Sequence, residues 1–182
     1  MTIMTKEQEN LLMGNLRVVP DFPIPGIQFY DVTTLFKNPI CLQLLSDLLN
    51  EQYKDKGITK IVGIESRGFV MASALAVKLG AGVVLCRKEG KLPAEVVKES
   101  YSKEYGTDTI EIHKDAITQD DIVLMHDDLL ATGGTMKAAC DLVKKFNPKK
   151  VMVNFIIEIT DEGLHGRDVF DKDTEITTLI RV

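Results

Sequence analysis

The sequence predicts an α/β domain built on a mainly parallel central sheet flanked by helices. Three observations carry that expectation. Short apolar runs of strand length, IVGI (61–64), DIVLM (121–125) and VMVNFIIEI (151–159), are each too brief to be core helices. Segments with helical spacing of apolar residues alternate with them, at 68–79 and 134–146. Strand, helix and strand in that repeated order call for crossovers, hence parallel pairing.

With 182 residues and 45% hydrophobic composition, the chain can bury roughly 70% of its unfolded surface in one core, so one domain over 1–182 is expected. Taken in order, the proline-rich stretch PDFPIPGIQFYD (20–31) cannot be a regular core strand and is expected to wrap the surface. PICLQLLSDLLNEQY (39–53) reads as a helix: proline stands at its start, and Ile40, Leu44 and Leu48 form an i,i+4 row beside Leu45 and Leu49. Strand 61–64 follows. The helix over 68–79 presents Phe69, Ala72, Leu75, Ala76 and Leu79 along one side, with Gly80 as its stop. AGVVLCR (81–87) is the next strand. The polar segment 89–113 breaks the rhythm. Strands are expected at 95–101 and 108–113, and the alternation of Ile110 and Ile112 with Glu111 and His113 suggests a half-exposed ribbon that covers something. Strand 121–125, helix 134–146, strand 151–159 and an apolar segment at 176–180 complete the chain.

Several classes are disfavoured by composition. No run of 18 apolar residues is present, so no membrane span is expected. MTIMTKEQENLL reads as no secretory signal. Cys41, Cys86 and Cys140 match no metal or redox spacing and are read as reduced core thiols of a cytoplasmic protein. A net charge of −5 without a basic stripe argues against nucleic acid as a partner.

The chemistry is concentrated in LMHDDLLATGGTMKAA (124–139). Asp127 and Asp128 fall at the carboxyl end of a strand, where open parallel sheets bind ligands. Ala131, Thr132, Gly133, Gly134 and Thr135 then lead into a helix. Two glycines let backbone amides converge on an anion, the helix N-terminus adds partial positive charge, and the threonines add hydroxyls. This is neither a Walker loop nor a dinucleotide fingerprint. Carboxylates beside a phosphate must face something else, and vicinal sugar hydroxyls suit them, so the cup points to a ribose 5-phosphate. A second polar cluster, Glu65, Ser66 and Arg67, follows strand 61–64, and Arg87 with Lys88 follows strand 81–86. Three strand ends therefore aim cations and a phosphate cup at one crevice, which implies a sugar phosphate bearing a second, distant polyphosphate group.

HDDLLATGGTMKAA resembles the signature of the type I phosphoribosyltransferases, which bind phosphoribosyl pyrophosphate (PRPP). FPIPGIQFYDVTTLF, GIESRGF, CRKEGKLP and ESYSKEYG are similar to the adenine-using members of that family. The resemblance implies that fold with a small hood and mobile loop over about 95–113, a base-binding segment over about 20–37, and transfer of phosphoribosyl from PRPP to N9 of adenine, giving AMP and pyrophosphate with Mg²⁺. It also implies roles. Ala131–Thr135 hold the 5-phosphate, and Asp127 and Asp128 meet the ribose hydroxyls. Arg67 with a cis Glu65–Ser66 peptide forms the pyrophosphate loop, helped by Arg87 and Lys88. Lys91 arrives from the partner of a homodimer. Phe29 and Leu129 sandwich the base, while the backbone at Gln28 and Tyr30 reads its edge. Glu104 handles the proton, and Tyr101 and Tyr105 seat the closed hood. Mg²⁺ is expected to be held mainly by PRPP or pyrophosphate, with no protein ligand required.

Two positions depart from the family pattern. Tyr30 stands where a basic residue is common, and His126 where an aliphatic one is usual. His126 reads as a packed, hydrogen-bonded histidine, with contact to the cup as the alternative. Two other functions compete: a transferase for 6-oxopurines, and a regulator that senses PRPP without turning it over. The FYDVTTLF stretch favours adenine over the first, and the 20 non-basic residues before the match leave the second without a DNA-binding module.

Overall fold

A computed structural model describes residues 4–102, 106–160 and 164–182. The chain falls into two units, Met1–Gln52 and Tyr53–Val182.

In the first unit, helix α1 (Lys6–Asn15) starts at a capping box in which Thr5 Oγ1 accepts from Gln8 N and Gln8 Oε1 accepts from Thr5 N. Strands β1 (Arg17–Pro20) and β2 (Gln28–Asp31) pair antiparallel as a separate two-stranded ribbon. The proline-rich residues 21–28 are all exposed, as a stretch that cannot sustain a ladder should be. The ribbon is fastened by Arg17 on Asp31, whose other oxygen takes the Thr33 amide at 2.9 Å. Helix α2 (Thr33–Lys37) follows. Helix α3 (Pro39–Tyr53) has the expected bounds but a rotated face. Cys41, Leu45, Leu48 and Leu49 are buried, whereas Ile40, placed at the head of the apolar row, is 65% exposed. A leucine-rich helix offers two adjacent stripes, and spacing alone does not choose between them.

The second unit is a seven-stranded sheet in the order β5-β6-β4-β3-β7-β8-β9. Strands β3 (Lys60–Ile64), β4 (Gly82–Lys88), β7 (Ile122–Leu130), β8 (Lys150–Glu158) and β9 (Ile176–Arg181) run parallel. Strands β5 (Val96–Ser102) and β6 (Thr107–His113) add an antiparallel ribbon at one edge. Helix α4 (Gly68–Leu79) begins after β3 and stops at Gly80, whose φ of +66° suits a left-handed cap. Helix α5 (Gly134–Lys144) packs Met136, Ala139, Cys140 and Val143 into a core shared with Val62, Val84, Ile112, Val123 and Phe155. Cys86 and Cys140 lie in that core, and burial pushes both thiols up to about 12. No described helix is long and apolar enough to cross a membrane.

Two local readings change. Strand β7 does not end at Met125 but runs through both acids to Leu130, because β8 continues beside it as far as Glu158. Glu111 is not on a half-exposed side. It is 1% exposed, with Oε1 accepting the Lys91 and Leu92 amides at 2.9 Å each.

Candidate active site

The acid pair and the glycine loop sit together because β7 delivers one straight into the other. A pocket of about 160 Å³ is lined by Asp127, Leu129, every residue from Ala131 to Met136, and Phe155. Gly133 is the residue preceding α5, with φ +77°, a conformation that glycine adopts without the Cβ penalty. The α5 N-terminus thereby opens on the pocket with its first amides uncommitted to the helix. Thr132 is exposed, and the Thr135 hydroxyl lies 3.0 Å from that of Tyr101 on β5. Strand β5 thus touches the glycine loop.

Asp127 and Asp128 have different surroundings. Asp127 lines the pocket, and its Oδ1 accepts the Asp128 amide at 2.9 Å. Its own surface is half-buried, yet protein encloses the carboxyl: burial first, and then the Asp128 charge, push it well above the usual carboxylate range. Asp128 is 3% exposed and lies 2.8 Å from Arg67 Nε as an ion pair. Arg67 is fixed by the position of α4, whose first residue, Gly68, lies flush against the Asp127 backbone. A Cβ there would stand 2.8 Å from the His126 carbonyl oxygen.

A second charged cluster joins the ends of β3 and β4. The Glu65–Ser66 peptide is cis, as the resemblance implies, and Ser66 is exposed. Glu65 accepts from Arg87 Nε and Nη2 at 3.3 Å each and from the Lys88 amide at 3.0 Å. Burial alone would raise this carboxyl, but the Lys88 amide and Arg87 outweigh it and hold it below its ordinary value. Lys91 Nζ is 3.8 Å from Glu65, and its carbonyl accepts from Arg87 Nη1 at 3.2 Å. The buried Glu111 shapes this turn by binding its amides. Its position in the alternation IEI disguised that role, and only the glycine turn EGKLP opposite hinted at amides needing an acceptor.

His126 is fully buried, with Nδ1 2.8 Å from Asn154 Oδ1, and Asn154 Nδ2 donates to Thr177 Oγ1 at 3.0 Å. Burial dominates and lowers its pKa to about 4, the Asn154 contact opposing, so the imidazole is neutral at working pH. It is a packed histidine and not a lining residue of the pocket. In the N-terminal unit, Gln28, Phe29 and Tyr30 lie on β2, with Phe29 edge-on to Phe22 at 5.0 Å between centroids. Glu104 and Tyr105 lie outside the described residues. Among the described residues, no group of three or more His, Cys, Asp or Glu side chains could hold a metal ion.

Fold and site together define a class: a mainly parallel-sheet protein with an acid pair and a glycine loop meeting at one pocket at its strand ends and a cluster of cations beside them. Comparison with known proteins agrees. The Phosphoribosyl transferase domain family matches residues 31–177. The adenine phosphoribosyltransferase of Bacteroides thetaiotaomicron is 65% identical over 178 residues, covering 98% of each chain. The crystal structure of adenine phosphoribosyltransferase from Rhodothermus marinus has a TM-score of 0.90 at 46% identity, covering 98% of this chain and all of that one. The Saccharomyces cerevisiae enzyme, complexed with an imino-altritol bisphosphate and adenine, has a TM-score of 0.87 at 39% identity, covering 96% and 99% of the two chains. The chain belongs to the type I phosphoribosyltransferase family, in its adenine phosphoribosyltransferase branch.

Proposed function

We propose that this chain transfers the 5-phosphoribosyl group of PRPP to N9 of adenine, giving AMP and pyrophosphate. The observation that carries the reading is one pocket in which Asp127 faces the Ala131–Thr135 loop, with Arg67 held on the neighbouring Asp128. A phosphate alone would be repelled by Asp127. A 5-phosphorylated ribose satisfies both ends, its phosphate on the loop and its hydroxyls toward the acid.

In this mechanism Mg²⁺ enters with PRPP as part of the substrate and offsets charge on the leaving pyrophosphate. Arg67, Arg87 and Lys88, with the Glu65–Ser66 turn, take the pyrophosphate end, joined by Lys91 of the partner subunit, where cations stabilise the charge that gathers as the C1′–oxygen bond lengthens. The sugar passes through an oxocarbenium-like state, and Asp127 and Asp128 favour its positive charge while holding the ribose. Hood closure over Tyr101 and Tyr105 keeps out the water that competes with adenine. Glu104 takes or relays the N9 proton, and Leu129 contributes to orienting the base, while the base-reading roles of Gln28, Phe29 and Tyr30 rest on the resemblance alone. These assignments rest on the resemblance together with the placement of the described members.

The proposal extends to a cytoplasmic homodimer in which Lys91 serves the neighbouring site. Support comes from apolar side chains left outside the core of the second unit. Val70 and Val77, seven residues apart on one side of α4, are 43% and 85% exposed, and Val83 and Leu85 on β4 are 40% and 39% exposed.

The test is pyrophosphate release from Mg²⁺–PRPP with adenine, hypoxanthine, guanine or no base. Release with adenine alone, with AMP as co-product, supports the proposal. Release with the oxopurines moves the base assignment, and tight PRPP binding without release would make the chain a sensor.

A further inference from the structure

The loop assigned to the 5-phosphate has protein packed against its back. Residues 164–170 run behind it, and the approach is closer than any side chain permits. A Cβ on Gly166 would lie 2.2 Å from the Ala131 carbonyl oxygen and 2.9 Å from Leu130 Cδ1. A Cβ on Gly133 would lie 2.4 Å from the Gly166 carbonyl oxygen and 2.9 Å from Val169 Cγ2. Backbone therefore meets backbone from both sides, and the loop has nowhere to retreat.

The backing segment is itself held at its middle and at its far end. Arg167 forks onto Glu158 at the end of β8, with Nε at 2.5 Å and Nη2 at 2.8 Å from its two oxygens, and Nη1 donates to the Ile176 carbonyl at 3.2 Å. Glu158 also accepts from Thr178 Oγ1 at 3.0 Å and Arg181 Nε at 3.1 Å. Three residues beyond Arg167, Phe170 is buried in the same core that seats α5. Within the segment, Asp168 N donates to the His165 carbonyl and Phe170 N to that of Arg167, closing two turns. The Arg167 guanidinium is committed to this pair, so the segment's role is to place the loop and not to bind the anion itself.

We infer that residues 165–170 form a rigid rear wall for the phosphate loop, and that Gly166, Val169 and the Glu158–Arg167 pair are positioning residues for the 5-phosphate end of the substrate. The inference rests on the function proposed above. A backbone amide cradle works only at fixed geometry, because each N–H must meet an oxygen at hydrogen-bond distance. The wall fixes the loop from outside the pocket, and its contacts described above go to the loop, β8, β9 and the core of α5.

The experiment is calorimetric binding of ribose 5-phosphate and, separately, of pyrophosphate with Mg²⁺, for the full chain and two variants. Gly166→Ala should weaken ribose 5-phosphate by at least about tenfold, since loop displacements near 1 Å are costly at positioned sites. It should leave pyrophosphate within about twofold and raise KM for PRPP more than it lowers kcat. Val169→Ala, at a side chain 40% exposed and so tolerant of truncation, should give the same split at about threefold. Equal weakening of both ligands, or wild-type affinity for ribose 5-phosphate in both variants, overturns the inference. Failure of the proposed function has a different signature: the unaltered chain would bind ribose 5-phosphate yet form no AMP.

Discussion

Gly68→Ala places one methyl group where two parts of the site meet. The new Cβ would stand 2.8 Å from the His126 carbonyl oxygen, 3.0 Å from Asp127 Oδ1 and 3.3 Å from Asp127 Cα. Ordinary contact is roughly 0.5 Å longer than the shortest of these. Two of the three atoms are backbone of a central strand, so α4 must move. Overpacking of that kind costs about 1–3 kcal/mol, which for a chain of this length lowers Tm by about 2–12 °C. Moving the first turn of α4 also carries Arg67 away from Asp128, now 2.8 Å from it. A misplacement of 0.5–1 Å at that pair is expected to lower kcat/KM for PRPP by about 10- to 100-fold. The companion variant Gly63→Ala pushes on the same turn from the β3 side: its Cβ would meet the Ala72 methyl at 3.0 Å and the Gly68 carbonyl and Phe69 Cα at 3.2 Å each, with no atom of either acid among its nearest neighbours. The assay is steady-state AMP formation beside thermal melting for both variants. If both variants lose stability but keep kcat/KM within about twofold of wild type, the claim that α4 seats the acid pair is wrong.

Other changes test separate links. Asp127→Asn should abolish most activity yet raise Tm at pH 7, because the folded state lifts this carboxyl above its unfolded value and its ionisation is unfavourable there. Wild type is relatively most stable below the unfolded pKa of about 3.9 and loses that advantage as pH rises through the folded value, so melting at pH 4 and 7 should show the gain shrinking toward acid. Asp31 is the opposite case. Burial would raise it, but Thr33 and Arg17 bring it to about 2. Asp31→Asn should cost about 1–2 kcal/mol at pH 7, the half-exposed Arg17 reducing the full linkage value, and melting curves should converge with wild type as pH falls from about 4 to 2. Tyr101→Phe removes the hydroxyl 3.0 Å from Thr135, and should lower Tm by about 2–4 °C, one neutral hydrogen bond's worth, with KM for PRPP raised by no more than about fivefold.

Where periodicity and punctuation agreed, the sequence was legible. The bounds of α3 and α4 follow from Pro39, Gly80 and the spacing between them, and the parallel order follows from repeated strand–helix alternation. The glycine loop was legible for a different reason: a structural turn does not need that many amides and hydroxyls. What stayed hidden depended on partners distant in sequence. The face of α3 is chosen by what covers Cys41 and Leu45, and Ile40 lies outside it. The length of β7 is set by β8, so the polar residues His126, Asp127 and Asp128 are strand despite their type. Burial of Glu111 is set by amides some 20 residues earlier in the chain.

The same reasoning explains why the two aspartates, equivalent in sequence, are not equivalent in the protein. Asp128 has Arg67 beside it, so its charge is matched before any ligand arrives. Asp127 lines the pocket, and burial first, then that neighbouring charge, lifts its carboxyl against the opposing field of Arg67. An acid in that condition is poised for a ligand with hydroxyls or growing positive charge. In the proposed reaction, sugar hydroxyls would donate to the ionised form and an oxocarbenium-like ribose would attract it, so both would shift Asp127 back toward ionisation. The energy released by that shift would be available only with the sugar in place and would grow as charge develops on it, making the interaction stronger in the transition state than in the ground state. On that reading loop, wall and arginine would hold the geometry, and the Asp127 carboxylate would discriminate between bound substrate and reacting substrate.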